Sequence, residues 1–253
     1  MTLIVGQMAQ FANYVLSFRV TETLSEEACL VLHGFPAETP IRPEYEKNKD
    51  IAAEIARAVN MDVYLPHYRG LGKSPGPFSF HRTIVDSFEL AKKLLSDFKY
   101  RTVHIVGHSW GALVAMNLAK DLGDFGGKLI LLSPFNDIPS DDILRRVLSQ
   151  ICDGLAIEFE KGGIEGAVQE IREIANARNP RFIAGSLKTK KNQVTIIQAL
   201  QDDEVPVSST REFVSLFPTR PEYIEFDSDH KFSLNREALI SLIIARLKGK
   251  NRV

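Results

Sequence analysis

The apolar and polar positions of the chain form short apolar runs that are separated by helical repeats. Runs rich in aliphatic and β-branched residues predict buried strands, and apolar residues spaced three and four apart predict helices. The predicted strands are Tyr14–Val20, Ala28–Leu32, Met61–Leu65, Thr102–Val106, Lys128–Leu132, Val194–Ala199 and Tyr223–Phe226. The predicted helices between and after them are Tyr45–Val59, Thr83–Phe98, Trp110–Leu122 and Arg236–Leu247. This alternation indicates an α/β protein with a mostly parallel sheet and helices on both faces.

The alternation stops between the strands at Lys128–Leu132 and Val194–Ala199. Two helices, Ile143–Phe159 and Ile164–Ala177, are predicted in this interval, and no convincing strand. Both ends of the interval lie at the carboxyl edge of the sheet, where open α/β sheets bind their ligands. We therefore expect an inserted helical cap over that edge. The predicted division is a core of residues 1–136 and 191–253 with a helical cap of residues 137–190.

A candidate nucleophile lies at the junction of a predicted strand and a predicted helix. The residues Gly107-His108-Ser109-Trp110-Gly111 match the pattern G-x-S-x-G, which needs a strand before it and a helix after it. A sharp, strained turn there lifts the serine hydroxyl clear of the backbone. Glycines at 107 and 111 allow the strand and the helix to pass close together, and the helix N-terminus favours developing negative charge. The sequence therefore predicts Ser109 as a nucleophile.

A serine nucleophile needs a general base, and histidine is the usual one. Of the six histidines, only His230 follows Ser109 in the chain. On this type of turn the order along the chain is serine, acid, histidine, which makes His230 the candidate base. His230 follows the predicted strand Tyr223–Phe226, so its loop is placed to reach over the sheet edge.

The acid that orients the histidine should follow a strand between the serine and the histidine. The acidic run Asp202-Asp203-Glu204 follows the strand Val194–Ala199. Aspartate is favoured over glutamate as the shorter and more common choice. Spacing alone does not separate Asp202 from Asp203, and Asp137, just after the strand Lys128–Leu132, is a third candidate.

An acyl-transfer site also needs two backbone N–H groups that face the developing negative oxygen. One is expected from Trp110, which directly follows the nucleophile. The other is expected from the loop His33-Gly34-Phe35-Pro36, after the strand Ala28–Leu32, where the glycine allows a sharp turn. The predicted oxyanion donors are the N–H groups of Phe35 and Trp110.

With these motifs, the chain resembles the α/β-hydrolase superfamily over essentially its whole length. HGFP, GHSWG and YRGLGKSPG resemble the family's oxyanion segment, nucleophile turn and Arg-Gly-x-Gly-x-Ser loop, and QALQDDEVP resembles its acid segment. In that family the acid commonly lies three residues before the valine of Val-Pro, which selects Asp202. The stretch LPHYRG is most similar to carboxylesterase and monoacylglycerol lipase members. His67 stands where many relatives have aspartate, and we expect it to affect the loop and not the chemistry.

The resemblance implies a serine hydrolase that cleaves a carboxylic ester through an acyl-enzyme, without a metal or cofactor. No Cys/His cluster has metal-ligand spacing. Phe35, Trp110, Phe135 and Leu155 are expected to line the substrate pocket. Alternatives on the same residues are an aminopeptidase, a thioesterase or a cofactor-free perhydrolase. A different alternative is a non-catalytic ligand receptor, for which an intact serine, histidine and acid are not needed.

Composition limits the partners and the compartment. The 253 residues are 44% hydrophobic and 25% charged, which is ordinary for a globular protein, and the formal net charge is −1. This balance gives no general field for nucleic acid, so the expected partner is a small-molecule ester. We expect no membrane span, since no apolar run is long enough. Two cysteines and no charged start of a secretory signal favour the cytoplasm. The oligomeric state does not follow from the sequence.

Overall fold

A computed structural model describes residues 3–8, 13–20, 25–35, 48–123, 126–155, 157–191 and 193–249, with the backbone alone at 153–155. Its strands are β1 Ile4–Met8, β2 Val15–Arg19, β3 Glu27–Leu32, β4 Asp62–Pro66, β5 Thr102–His108, β6 Gly126–Leu132, β7 Val194–Gln201 and β8 Glu222–Asp229. Its helices are α1 Lys49–Val59, α2 Phe80–Ser96, α3 Trp110–Leu122, α4 Asp141–Leu155, α5 Gly163–Ala177, α6 Pro180–Ser186, α7 Val207–Ser215 and α8 Arg236–Leu247.

The strands form one sheet in the order β1-β2-β4-β3-β5-β6-β7-β8. The pairs β1–β2 and β2–β4 are antiparallel and all other neighbours are parallel. Because successive side chains of a strand point to opposite faces, the apolar runs supply two cores at once. Leu30 and Leu32 face the core shared with α2 and α3, whereas Cys29 and Val31 face the core shared with α1 and α8. The predicted fold class, a mostly parallel sheet with helices on both faces, is confirmed.

The helices between β6 and β7 share their apolar core with the rest of the molecule. Leu144, Leu148 and Ile171 belong to the same buried cluster as the side chains of α2 and α3. Helix α5 packs on α2, and α6 packs on α3. Glu170 of α5 is buried, and its carboxylate accepts hydrogen bonds from the N–H groups of Phe80 and His81 at 2.8 and 3.2 Å. The helices between β6 and β7 are therefore hydrogen-bonded to the first turn of α2 through Glu170.

Some boundaries differ from those that the sequence predicts. The predicted helix Ile143–Phe159 ends at Leu155, and Phe159 instead lies in an extended bridge to Phe78. The N–H of Phe78 donates to Glu158 O at 2.7 Å, which holds this extended segment in place. Strand β1 and helices α6 and α7 are not predicted at all. The first residues of the predicted helix Tyr45–Val59 lie outside the described residues. Within the described ranges, no helix is both long and apolar enough to cross a membrane.

Candidate active site

Ser109 lies between β5 and α3 in a conformation that non-glycine residues rarely adopt. Its φ and ψ angles are 54° and −119°, which cost about 1–3 kcal/mol and persist only where the surroundings enforce them. The Ser109 N–H donates to Leu132 O at 2.9 Å, and Ser109 O accepts from the N–H groups of Ala112 and Phe135. These bonds on both sides hold the turn against β6 and the segment after it.

The two glycines of the turn are required by close approach of the backbone. A Cβ at Gly107 would lie 2.4 Å from Gly111 O, and one at Gly111 would lie 2.2 Å from Leu32 O. No real Cβ tolerates such distances, so any larger residue would push α3 away from β3 and β5. The loop after β3 also contacts the turn, because a Cβ at Gly34 would lie 3.1 Å from Ser109 Cβ.

His230 and Asp202 meet because their strands are neighbours in register. Gln201 of β7 lies opposite Asp229 of β8, so the next residue on each strand leaves the sheet beside the other. His230 Nδ1 lies 2.9 Å from both carboxylate oxygens of Asp202. The Asp202 side chain is fully buried, and the His230 side chain is 5% exposed. This is the geometry in which a carboxylate fixes the tautomer of an imidazole.

The other acid candidates lie apart from the imidazole ring. Asp137 is 65% exposed and accepts from the N–H of Ile138. Asp203 is exposed, and its side chain is not among those that contact His230 in the described structure. The geometry therefore favours Asp202, as the resemblance implies.

The charged pair is supported by several hydrogen bonds. Asp202 Oδ1 accepts from the N–H groups of Glu204 and Val205 at 3.0 and 2.7 Å, and Oδ2 accepts from Gln198 Nε2 at 3.0 Å. Burial alone raises the pKa of Asp202, but hydrogen bonds from His230, Val205 and Ser133 and the charge of His230 outweigh it, so the pKa lies below its ordinary value. The carboxylate is therefore held in its ionised form.

Burial lowers the pKa of His230, but its neighbours reverse this effect. The hydrogen bond to Asp202 and the negative charges of Glu204, Asp202 and Asp203 outweigh burial and raise the pKa above its ordinary value. His230 Nε2 lies 3.4 Å from Glu204 Oε2. Among the described residues, Ser109 has no hydrogen bond to His230, so Nε2 must turn from Glu204 to Ser109 for a proton transfer. Such bonds are often long or absent without substrate.

His108 connects the nucleophile turn to the loop of His230. Its Nε2 lies 2.8 Å from His230 O, and the two rings are 5.1 Å apart at their centroids. Because a carbonyl oxygen only accepts, Nε2 of His108 carries the proton. Burial, followed by the positive charge of His230, lowers the pKa of His108 to about 3, so its ring stays neutral. The sequence motif treats this position as variable and does not predict this contact.

The expected oxyanion donors belong to two segments that contact each other. Gly34 precedes Phe35. A Cβ at Gly34 would lie 3.1 Å from Ser109 Cβ and 3.4 Å from His108 O, so the backbone here passes close to the turn. Trp110 is the first residue of α3, and the first N–H groups of a helix have no acceptor within it. Pro36 of the predicted loop lies outside the described residues. Gly34 thus contacts the Ser109 turn, and Trp110 directly follows it.

An array of aromatic rings lies beside the turn. Phe35 packs against Phe80 at 5.0 Å, Phe80 against Trp110 at 4.7 Å, and Trp110 against Phe135 at 5.5 Å between ring centroids. Phe35 and Phe135 are partly exposed, whereas Phe80 and Trp110 are buried. Three of the four predicted pocket residues thus belong to one apolar surface. The side chain of the fourth, Leu155, lies outside the described residues.

Metal and thiol sites have characteristic side-chain patterns, against which the described residues can be compared. In the part of the chain that the structure describes, no group of three or more His, Cys, Asp or Glu side chains is placed to hold a metal ion. Cys29 and Cys152 are not joined by a disulfide bond. Burial raises the pKa of the Cys29 thiol well above its ordinary value, so this residue acts as a small core side chain.

Comparisons with known proteins find sequences and folds that are similar to this chain. A model of the alpha/beta hydrolase family matches residues 29–232. "Probable lysophospholipase BODYGUARD 1" of Arabidopsis thaliana is 28% identical over 123 residues, or 47% of this chain and 25% of that protein. The chain thus spans about a quarter of the length of the curated relatives it matches. Est1E from Butyrivibrio proteoclasticus aligns with a TM-score of 0.69 at 15% identity, over 97% of this chain and 98% of its own. A monoacylglycerol lipase from Paleococcus ferrophilus aligns with a TM-score of 0.63 at 16% identity, over 97% and 100%.

Proposed function

The chain belongs to the alpha/beta hydrolase family, and from this premise we propose that it is a serine hydrolase that cleaves a carboxylic ester through an acyl-enzyme. The observation that carries the proposal is the buried His230–Asp202 pair, whose loop is bound through His108 to the strained turn of Ser109. A receptor has no need of a strained serine next to an oriented imidazole. The pair therefore favours catalysis over ligand binding alone.

In the first half-reaction, His230 Nε2 takes the proton of the Ser109 hydroxyl as Ser109 Oγ attacks the ester carbonyl carbon. Asp202 accepts the Nδ1 hydrogen bond and stabilises the imidazolium that forms. The carbonyl oxygen becomes an oxyanion that accepts from the N–H groups of Phe35 and Trp110. The tetrahedral intermediate collapses, His230 returns its proton to the alcohol oxygen, and the alcohol leaves.

In the second half-reaction, water takes the place of the alcohol. His230 removes a proton from this water as its oxygen attacks the acyl carbon of the ester with Ser109. Collapse of the second tetrahedral intermediate releases the acid and returns the proton to Ser109. Every proton in both steps passes through Nε2, so the starting charge state of His230 must be neutral.

Two features support an ester with an apolar acyl group. The partly exposed rings of Phe35 and Phe135, which pack on the buried rings of Phe80 and Trp110, suit a hydrocarbon chain. The proteins similar to this chain include Est1E, a monoacylglycerol lipase and a probable lysophospholipase. Acyl esters of alcohols are the substrate class common to the last two names.

The proposal is tested by a fluorophosphonate probe, which labels only an activated serine, and by hydrolysis of p-nitrophenyl esters and aminoacyl amides. We expect labelling of the wild type, faster ester than amide cleavage, and neither reaction in Ser109→Ala. Loss of a triad serine costs on the order of 10⁶ in kcat in a comparable enzyme. Ser186→Ala, an exposed serine of α6, is the matched control. Ester turnover by Ser109→Ala within about tenfold of the wild type would refute the assignment.

A further inference from the structure

A chain of buried and half-buried polar side chains leads from the helical segment between β6 and β7 to the carboxylate of Asp202. Each member is hydrogen-bonded to the next at 2.7–3.2 Å. We call this chain the relay; its members in order are Arg181, Ser209, Asn136, Thr210 and Gln198. Gln198 and Thr210 are fully buried and Asn136 is 2% exposed. Strand β7, the loop after β6 and helices α6 and α7 all contribute to it.

The direction of every hydrogen bond in the relay follows from Gln198, the member that contacts Asp202. Gln198 Nε2 faces three groups that can only accept, namely Ala199 O, Val205 O and Asp202 Oδ2, at 3.0–3.1 Å. The amide nitrogen must therefore point at Asp202, and Oε1 must point at Thr210. Thr210 then donates its only hydroxyl proton to Gln198 Oε1, at 2.7 Å.

The same reasoning fixes the outer half. Because the Thr210 proton is used, Thr210 Oγ1 must accept from Asn136 Nδ2, at 2.9 Å. Asn136 Oδ1 then accepts from Ser209 at 2.7 Å, and Ser209 Oγ accepts from Arg181 at 3.2 Å. All five bonds point the same way, with a cation at the outer end and a carboxylate at the inner end.

Such an arrangement has a clear electrostatic effect. Hydrogen bonds in a row polarise one another, and the effect is larger where water is excluded. A buried amide that loses its partners is costly, so Gln198 has only one satisfied orientation. In that orientation, Gln198 Nε2 fixes Asp202 Oδ2 from the side opposite to the N–H groups of Glu204 and Val205 on Oδ1.

We propose that Gln198 and Thr210 are positioning residues, which set the orientation of the Asp202 carboxylate and through it the ring of His230. This proposal rests on the proposed function, because it assigns a role to Asp202 in the reaction. Neither residue touches the substrate. Their loss should therefore lower the rate of the chemical step and leave substrate binding unchanged.

The test uses Thr210→Val, which removes the hydroxyl and keeps the shape. The matched control is Thr195→Val on the same strand as Gln198, because Thr195 is also buried and donates to Glu222, outside the relay. Initial rates with a p-nitrophenyl ester give kcat and KM, and urea denaturation gives stability. We expect Thr210→Val to lose about tenfold in kcat with KM unchanged, since its loss removes one supporting hydrogen bond of about 1.4 kcal/mol. Thr195→Val should lose stability alone.

Further variants keep the proposal falsifiable. Thr210→Ser, which keeps the hydroxyl, should restore kcat, and Gln198→Met should lose more than Thr210→Val because it removes the bond to Asp202 itself. If Gln198→Met does not fold, Arg181→Met, at the partly exposed outer end, should show a smaller kcat loss of the same kind. Equal kcat losses in Thr210→Val and Thr195→Val, or a change in KM alone, would overturn the relay. A wild-type protein that neither reacts with fluorophosphonate nor cleaves esters would instead overturn the proposed function.

Discussion

Replacing Asp202 by asparagine tests the candidate site at the carboxylate whose hydrogen bonds the structure defines most completely. The N–H groups of Glu204 and Val205 face Oδ1, so the amide oxygen of an asparagine must stay on that side. Its Nδ2 must then replace Oδ2, where it meets two donors, Gln198 Nε2 and His230 Nδ1–H. The conflict with His230 is relieved when His230 changes tautomer and carries its proton on Nε2, whereas the contact with Gln198 stays unfavourable.

A histidine protonated on Nε2 cannot accept the proton of Ser109. We therefore expect Asp202→Asn to lower kcat for a p-nitrophenyl ester by about 10⁴, the loss caused by the wrong tautomer in a comparable triad. The substitution keeps volume and removes one charge, so the fold should survive, which circular dichroism checks. Fluorophosphonate labelling should slow in parallel.

Asp203→Asn is the matched control, because Asp203 is adjacent, exposed and equally charged. It should cost less than about threefold, since exposed charges are screened by water. The reverse ranking would move the acid to Asp203. Small effects from both variants would make Asp137 the acid and would refute the reasoning from the His230–Asp202 geometry.

Three further predictions follow from other contacts. Glu204→Gln removes a negative charge that raises the pKa of His230, so neutral His230 should persist to lower pH. The acidic limb of the kcat/KM profile should then move to lower pH, and the alkaline plateau should stay. Glu170→Gln weakens the charged hydrogen bonds to the first turn of α2 and should cost about 2 kcal/mol of unfolding free energy, measured in urea. Phe135→Ala enlarges the apolar surface beside Trp110 and should shift ester preference toward longer acyl chains, by roughly 1–3 kcal/mol per methylene admitted.

Each of these has a control and a contrary outcome. A shift of the acidic limb to higher pH in Glu204→Gln would mean that Glu204 does not act on His230 by its charge. Glu173 is an exposed ion-pair residue on the same helix as Glu170, and Glu173→Gln should change the free energy of unfolding by less than about 0.5 kcal/mol. An equal loss of stability in Glu170→Gln and Glu173→Gln would show that the buried carboxylate contributes no more than an exposed one. Phe182→Ala, whose phenylalanine is 72% exposed, should leave the chain-length profile unchanged. A flat profile in Phe135→Ala would place the acyl pocket elsewhere.

The sequence predicts the buried elements of the fold well, because their apolar patterns directly reflect the packing. The strand Ala28–Leu32 and the helices Trp110–Leu122 and Arg236–Leu247 lie where their patterns place them. Strand β1 is not predicted because it is a largely exposed edge strand, whose short apolar start at Ile4 and Val5 is followed at once by Gly6 and Gln7. Helix α7 was missed because its sequence, VSSTREFVS, is rich in serine and β-branched residues and carries only a short apolar stripe.

The candidate nucleophile and the candidate base can be predicted from the sequence for a different reason. Glycine is required on both sides of Ser109 because a Cβ at Gly107 or Gly111 would lie less than 3 Å from backbone atoms, so the motif follows directly from the local geometry. His230 is found by its order in the chain. Spacing alone does not separate Asp202 from Asp203, and the resemblance to the family favours Asp202; in the structure, the pairing of Gln201 with Asp229 brings the residue after Gln201 beside His230. A single sequence does not define the register of two strands to within one residue.

The relay shows where a further signal was present but unused. In the run VTIIQALQ, the first six residues of β7 are buried, and Gln198 is the one amide among them. An amide at such a position is costly unless both its ends are satisfied, so its presence alone predicts buried polar partners. The side-chain partner of its oxygen, Thr210, lies 12 residues after it, and Thr210 in turn accepts from Asn136, about 60 residues before Gln198; neither residue stands out in the sequence by itself. A polar side chain inside an apolar strand, four residues before a candidate acid, is therefore the feature from which the support of that acid can be inferred before a structure is known.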